Sequence, residues 1–136
     1  MLTLAGSVRF RRERRPTVTM MRLELDQGLV VGDLTMQPGN VLDYNEYDLD
    51  FTFGLIAAGE ATVAGIDGVV RYRTERPFTG LVFLPYPWLG SMLVDGADGS
   101  MLTIRMTDFT STINIDVDAD GDGDPEETLT ADWNTL

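Results

Sequence analysis

The chain has 136 residues, of which 43% are hydrophobic, and its formal net charge is −12. This acidity argues against nucleic acid as a partner, because phosphate contacts need a basic surface. Histidine and cysteine are absent, which removes the commonest general base, the thiolate nucleophile and the soft metal ligands. We therefore expect a protein that is not an enzyme and that binds only metals with oxygen ligands.

Apolar and polar residues alternate with period two along most of the chain, which predicts strands with one buried face. The first predicted strands cover residues 2–10, 18–25 and 30–36. A change of phase at Met20 and Met21 predicts a β-bulge in the second of them. The clearest alternation, from Tyr47 to Leu55, predicts a strand with an aromatic inner face and an acidic outer face.

The segment 61–74 is also rich in β-forming residues, and it fits either one long bulged strand or a tight hairpin. Three prolines between Arg76 and Gly90 block regular pairing and predict a long loop. The last predicted strands lie at 92–94, 102–106, 113–117 and 129–133. No stretch shows a sustained helical period, and none is apolar enough to predict a transmembrane helix.

These elements together predict an all-β fold, an antiparallel β-meander of about 8–10 strands with little or no helix. Because an isolated sheet would leave its apolar face in water, we expect the meander to curl into a barrel or a sandwich. The length fits a single β domain over residues 1–136.

The most specific motif is an acidic loop from Asp116 to Glu127, which matches the twelve-residue calcium pattern D-x-D-x-D-G-x5-E. Gly121 occupies the position where that pattern turns sharply. The predicted metal ligands are Asp116, Asp118, Asp120, Asp122, Asp124 and Glu127. Strand-like flanks predict an EF-hand-like loop in a β-hairpin and a weak Ca²⁺ site, with a Kd near ~10⁻⁴ M. The alternative is a solvated Asp/Gly turn without an ion.

Three motifs near the end of the chain occur in a characteristic order: the Gly90–Ile104 hairpin, the D-x-D-G-D-G loop and a terminal T-x-x-W-x-x-L. As a set they resemble the C-terminal β-meander of uncharacterised bacterial secreted proteins and lipoproteins, over residues 90–136. The resemblance implies an extracytoplasmic location, in the periplasm, on the cell surface or secreted, and no assigned activity. A signal segment is absent from this chain, so we expect it to be the C-terminal part of a larger exported protein.

The favoured function is that of a non-catalytic exported β domain with a structural or interaction role, stabilised by Ca²⁺ in the 116–127 loop. Its partner is expected to be a protein or another component of the cell envelope. Two alternatives stay open, a small-ligand-binding β-barrel and a small outer-membrane β-barrel. Three aromatic residues in or beside loops, Tyr44, Tyr86 and Trp88, are candidates for a weak ligand-binding platform or for the cap of a barrel end.

Overall fold

The computed structural model describes residues 2–3, 7–107 and 109–135, and its twelve strands form one antiparallel sheet. The strands are β1 (Leu2–Thr3), β2 (Val8–Arg15), β3 (Val18–Leu25), β4 (Leu29–Val31), β5 (Leu34–Met36), β6 (Val41–Tyr47), β7 (Thr52–Val63), β8 (Val70–Leu81), β9 (Leu89–Asp95), β10 (Met101–Met106), β11 (Thr112–Asp118) and β12 (Glu127–Asp132). In the described part of the chain, the helical structure is a single 3₁₀ turn, Trp133–Thr135. No described helix could span a membrane.

Strand β7 is the branch point of the sheet. On one edge its first half pairs with β6 and its last residues pair with β5, while β8 pairs along its other edge. The β6 branch continues to β3 and β2, and the β5 branch continues to β4 and β1. From β7 to β12 the strands follow one another as a meander, as the sequence predicted.

The gap between the two branches is filled by Asn40, which is buried. Its side-chain nitrogen donates to the carbonyls of Gln37 (2.5 Å) and Glu60 (2.9 Å), and its side-chain oxygen accepts from the hydroxyl of Tyr72. A Cβ at Gly59 would overlap that side-chain oxygen. Asn40 therefore supplies hydrogen bonds where neither β5 nor β6 can pair with β7.

The two faces of the sheet differ in polarity. Strand register places Phe10, Leu23 and Leu42 side by side on one face, and this apolar row continues toward the most buried side chains, Phe78, Met106 and Ile113. The other face carries exposed ion pairs, Arg22–Asp43, Arg71–Glu60 and Arg73–Asp95. Pairs of this kind contribute little to stability, so the apolar face provides most of it.

The sheet is not closed into a barrel, because β2 and β12 keep unpaired outer edges over the described residues. The buried apolar side chains in the described regions are few: Ala61, Phe78, Met106 and Ile113. The accessible surface is 8597 Å², whereas a compact monomer of 15.0 kDa exposes about 7,000 Å². Much apolar surface is thus incompletely covered.

The predicted strand from Tyr47 to Leu55 is wrong, because this segment is a hairpin in which β6 ends at Tyr47 and β7 begins at Thr52. The Asp50 carboxylate accepts hydrogen bonds from the backbone N–H (3.3 Å) and hydroxyl (2.7 Å) of Thr52. Phe51 adopts a positive φ of 56°. Local turn chemistry therefore overrides an alternation that happens to continue through the turn.

The predicted bulge in β3 is also wrong, because Met20 and Met21 pair in unbroken register with both β2 and β6. The bulges lie instead in the β7–β8 and β8–β9 ladders. Pro77 was predicted to lie in a loop, but it lies within strand β8. The β8–β9 ladder is interrupted at this proline, so the N–H group that proline lacks is not needed for pairing. The segment 61–74 is a hairpin.

Candidate metal site

The acidic loop connects β11 to β12, and the last strand pair before it is Val117 with Glu127. The backbone N–H of Glu126 donates to the Val117 carbonyl (2.9 Å), which closes the hairpin. The residues between, 119–126, form the loop itself. Gly121 and Gly123 adopt positive φ values of 75° and 97°, a conformation that glycine takes at little cost because it has no Cβ.

Four acidic residues of the hairpin converge: Asp118, Asp120, Asp122 and Glu126. One carboxylate oxygen from each can be chosen so that all four lie within 4.8 Å of one another. Asp118 is buried at the end of β11, and the other three are exposed. In the described residues this is the one grouping of potential metal ligands, and its donors are all oxygens.

Backbone hydrogen bonds hold these carboxylates in place. Asp118 accepts from the N–H groups of Gly121 (2.6 Å) and Gly123 (2.8 Å), and Glu126 accepts from that of Ala119 (2.6 Å). Asp120 and Asp122 each accept from the N–H two residues later, at 3.2 and 2.8 Å. The loop is therefore folded around its acidic side chains, which face one another without a basic partner among them.

The structure brings together only part of the predicted ligand set. Asp118, Asp120 and Asp122 are in the cluster, whereas Asp116, Asp124 and Glu127 lie outside it. Asp116 is on β11, where it pairs with Arg105 and accepts from the Thr128 hydroxyl (2.8 Å). Glu127 is the first residue of β12. Both are therefore part of the strand ladder.

Glu126 belongs to the cluster but is not among the ligands predicted from the sequence. Counted from Asp118, the cluster occupies positions 1, 3, 5 and 9, with Gly123 at position 6. These positions match the first nine of the calcium pattern displaced by two residues, because aspartate recurs at every second position from 116 to 124, but the twelfth position is Leu129 in place of the glutamate. The alternation of Ile113, Ile115 and Val117 extends the strand to Asp118, which favours the register that begins at Asp118 over the one that begins at Asp116.

Neighbouring turns make this whole end of the sheet acidic. The loop packs against the β9–β10 turn, where a Cβ at Gly121 would overlap the Gly99 carbonyl oxygen. In that turn Asp98 accepts hydrogen bonds from the Ser100 hydroxyl (2.6 Å) and N–H (3.1 Å), and these bonds lower the pKa of Asp98 below its usual value. We call the turns at 32–33, 64–69, 96–100 and 119–126 the acidic end; they contain acidic residues and no basic ones.

The three aromatic candidates are divided between a strand and a loop. Tyr44 lies on β6 and stacks on Phe53, with ring centroids 5.7 Å apart. Burial, and secondarily the charge of Glu46, raise the pKa of Tyr44. Tyr86 and Trp88 lie in the β8–β9 loop, where Trp88 packs edge-on against Phe109 at 5.3 Å. The contacts of Tyr44 are those of sheet packing.

Comparisons with models of protein families, with curated proteins and with solved structures give no match to this chain.

Proposed function

We propose that this chain is a non-catalytic exported β domain with a structural or interaction role, and that its β11–β12 hairpin binds Ca²⁺. The observation that supports this proposal is the convergence of four carboxylates within 4.8 Å. The ligands are Asp118, Asp120, Asp122 and Glu126.

Electrostatics favours a cation at this place. Like charges at these separations lie well inside the Debye length of ~8 Å at physiological salt, so they repel one another. A divalent ion bound among them converts that repulsion into attraction. Backbone N–H groups bond to both oxygens of Asp118 and to one oxygen of each of the other three carboxylates. Each carboxylate oxygen has a second lone pair, which is available to a cation.

The donor set suits calcium better than magnesium. Ca²⁺ takes six to eight oxygen ligands in flexible geometry, whereas Mg²⁺ requires near-ideal octahedral geometry and retains its waters. A glycine-containing loop with four carboxylates offers the flexible, protein-rich set. Since three of the four carboxylates are exposed, we propose a weak, extracellular-type site with a Kd near ~10⁻⁴ M.

The role of the ion follows from the position of the loop. Asp118 ends β11 and Glu126 immediately precedes β12, so an ion bound to both residues connects the two strands at the edge of the sheet. The ion would hold these strands in register, and the hairpin contains no helix that it could move. The proposal is thus one of calcium-dependent stability, suited to an extracytoplasmic location.

The experiment is a thermal melt of the chain in 10 mM Ca²⁺, in 10 mM Mg²⁺ and in EDTA. At about 100 times the Kd, a ligand that binds only the folded state adds about 2.7 kcal/mol, which for this length raises the Tm by about 9 °C. We expect that shift with Ca²⁺ and a smaller one with Mg²⁺. Three coincident melts would refute calcium binding.

A matched pair of variants distinguishes the loss of a calcium ligand from the mere loss of one negative charge in the loop. Asp122→Asn and Asp124→Asn each remove one carboxylate from the same loop, but only Asp122 belongs to the cluster. We expect Asp122→Asn to reduce the calcium shift and Asp124→Asn to preserve it.

The two barrel alternatives find no support in the fold, because both require a closed barrel and this sheet is open over its described strands.

A further inference from the structure

The end of the sheet opposite the acidic end is built from apolar loops. It comprises the β6–β7 turn (48–51), the β8–β9 loop (82–88), the described part of the β10–β11 loop (109–111) and the 3₁₀ turn Trp133–Thr135. We call these segments the apolar end. They lie at one end because a meander places alternate turns on the same side.

Direct contacts join these segments into one surface. The N–H of Val82 donates to the Phe51 carbonyl (2.8 Å), which connects the first loop to the second. Trp88 packs against Phe109, which connects the second to the third. The N–H of Trp133 donates to the Ser111 carbonyl (3.0 Å), which adds the 3₁₀ turn.

Large apolar side chains project from this surface into solvent. Leu49 is 82% exposed, Phe83 69%, Phe109 62% and Phe51 61%. With an aromatic side chain covering about 200 Å², these four expose about 500 Å² in total. That value is comparable to the largest apolar patch on a typical soluble monomer, and such patches are often functional.

Two of the exposed phenylalanines are held in an unfavourable backbone conformation. Phe51 and Phe109 have φ values of 56° and 53°, a region that bulky residues rarely adopt. Glycine or asparagine is the usual residue there. Solvent exposure and backbone strain coincide at both residues, and strained residues of this kind cluster at functional sites.

The charged groups at the apolar end are few and paired. In its described loops the charged residues are Asp48 and Asp50, and Asp50 accepts from Thr52. The β2–β3 turn lies beside Asp48, whose N–H donates to the Thr17 carbonyl (3.0 Å), and the two arginines that precede this turn are also paired, Arg14 with Asp48 (2.6 Å) and Arg15 with Glu13 (3.0 Å). Asp108 lies outside the described residues. The acidic turns, including the calcium-site carboxylates, are at the far end of the sheet.

We propose that the apolar end inserts its loop tips into the interface of a zwitterionic lipid bilayer. The tips come from separate loops, and each is largely surrounded by solvent. A lipid bilayer can take up single apolar side chains of this kind because it needs no complementary pocket. Beside them lie Tyr86, Trp88 and Trp133, and tyrosine and tryptophan are the residues that favour the headgroup level of a membrane. This proposal is independent of calcium binding at the other end.

Tryptophan fluorescence tests the proposal, because the chain has two tryptophans and both lie at the apolar end. We expect phosphatidylcholine vesicles to float the protein in a density gradient and to shift its emission to the blue. Phosphatidylcholine brominated in its acyl chains should quench that emission. Because the chain carries a charge of −12, adding anionic lipid should weaken binding at low salt, and this effect should shrink at high salt.

A matched pair of variants locates the binding surface. Phe83→Glu places a charge at the apolar end, and Ile66→Glu makes the same kind of change at the acidic end, where Ile66 is 60% exposed. We expect vesicle binding to fall at least tenfold with Phe83→Glu and to stay unchanged with Ile66→Glu. Leu49→Glu is the second variant at the apolar end, and a melting curve of each variant checks that it folds.

Three results would overturn the proposal. The first is no vesicle binding by the unchanged chain. The second is an equal effect of Phe83→Glu and Ile66→Glu, which indicates non-specific adhesion. The third is a dimer in sedimentation equilibrium without lipid that Phe83→Glu dissociates, which would assign the apolar end to self-association.

Discussion

Replacing Glu126 by glutamine should have opposite effects with and without calcium. In the cluster, one oxygen of Glu126 lies at most 4.8 Å from an oxygen of each of three aspartates. At that separation two unit charges repel by about 0.9 kcal/mol in water, so the three pairs amount to about 2.6 kcal/mol. Salt screening over ~8 Å roughly halves this value. Glu126→Gln should therefore stabilise the calcium-free protein by about 1 kcal/mol.

In calcium the same variant loses a charged ligand. If its Kd rises tenfold, 10 mM Ca²⁺ contributes about 1.4 kcal/mol instead of about 2.7. The calcium-induced rise in Tm then falls from about 9 °C to about 5 °C. Glutamine keeps an oxygen that can accept from the Ala119 N–H, so the loop retains that hydrogen bond. The variant therefore reports the effect of removing the negative charge of Glu126.

Glu127→Gln is the control, because it removes the same charge from the adjacent residue, which lies on β12 outside the cluster. The assay is differential scanning fluorimetry of both variants in EDTA and in 10 mM Ca²⁺. We expect Glu127→Gln to keep the full calcium shift. A loss of that shift with Glu127→Gln, and its retention with Glu126→Gln, would refute the proposed ligand set that contains Glu126 and favour the set that begins at Asp116.

Three further predictions concern stability and titration. Gly59→Ala should destabilise the fold by about 2–3 kcal/mol in urea unfolding, because a Cβ there overlaps the buried Asn40 side chain; a change below about 0.5 kcal/mol would contradict this packing. Ser100→Ala should raise the pKa of Asp98 toward its usual 3.8 in an NMR titration, because the Ser100 hydroxyl bond is the main cause of the lowering. Since the folded pKa is lowered, the contribution of Asp98 to stability is present above the usual pKa and is lost as pH falls through the folded value; a pKa unchanged by Ser100→Ala would exclude that cause. Phe51→Gly should stabilise the chain by about 0.5–1 kcal/mol by relieving a φ of 56° while weakening vesicle binding, and a loss of stability would show that the Phe51 side chain contributes more by packing than its backbone costs.

The sequence predicted the strand class and most hairpins because both depend on local information. Period-two alternation located the strands from Ile113 to Val117 and from Leu102 to Met106, and the structure has β11 and β10 there. The same signal failed between Tyr47 and Leu55, where alternation continues through a turn that Asp50 and Phe51 form. Alternation cannot reveal a turn when the turn residues follow the same polar and apolar pattern as the strands on either side.

The branch at β7 could not be predicted, because it depends on contacts between residues far apart in the chain. Asn40 bridges two branches through Glu60 and Tyr72, and nothing in the local sequence of Asn40 indicates this role. The open edges of the sheet have a similar origin, since pairing between β2 and β12 would be a property of the whole chain.

The sequence predicted that acidic side chains gather in this hairpin, and the structure gathers only part of the predicted set. Aspartate recurs at every second residue from Asp116 to Asp124, so the local pattern does not show which of these side chains converge. Asp116 instead forms an ion pair with Arg105 across the β10–β11 hairpin. Arg105 lies eleven residues away in the sequence, so the loop residues alone do not indicate this pairing.

A calcium titration followed by ¹H–¹⁵N NMR tests calcium binding at the β11–β12 hairpin most directly. We expect saturable shifts at one ion per chain, largest at the amides of Gly121 and Gly123, whose N–H groups bond to Asp118. We also expect little change at Asp116, which is held by Arg105. Shifts that are absent, or that spread over all acidic turns without saturating, would contradict a calcium site at this hairpin.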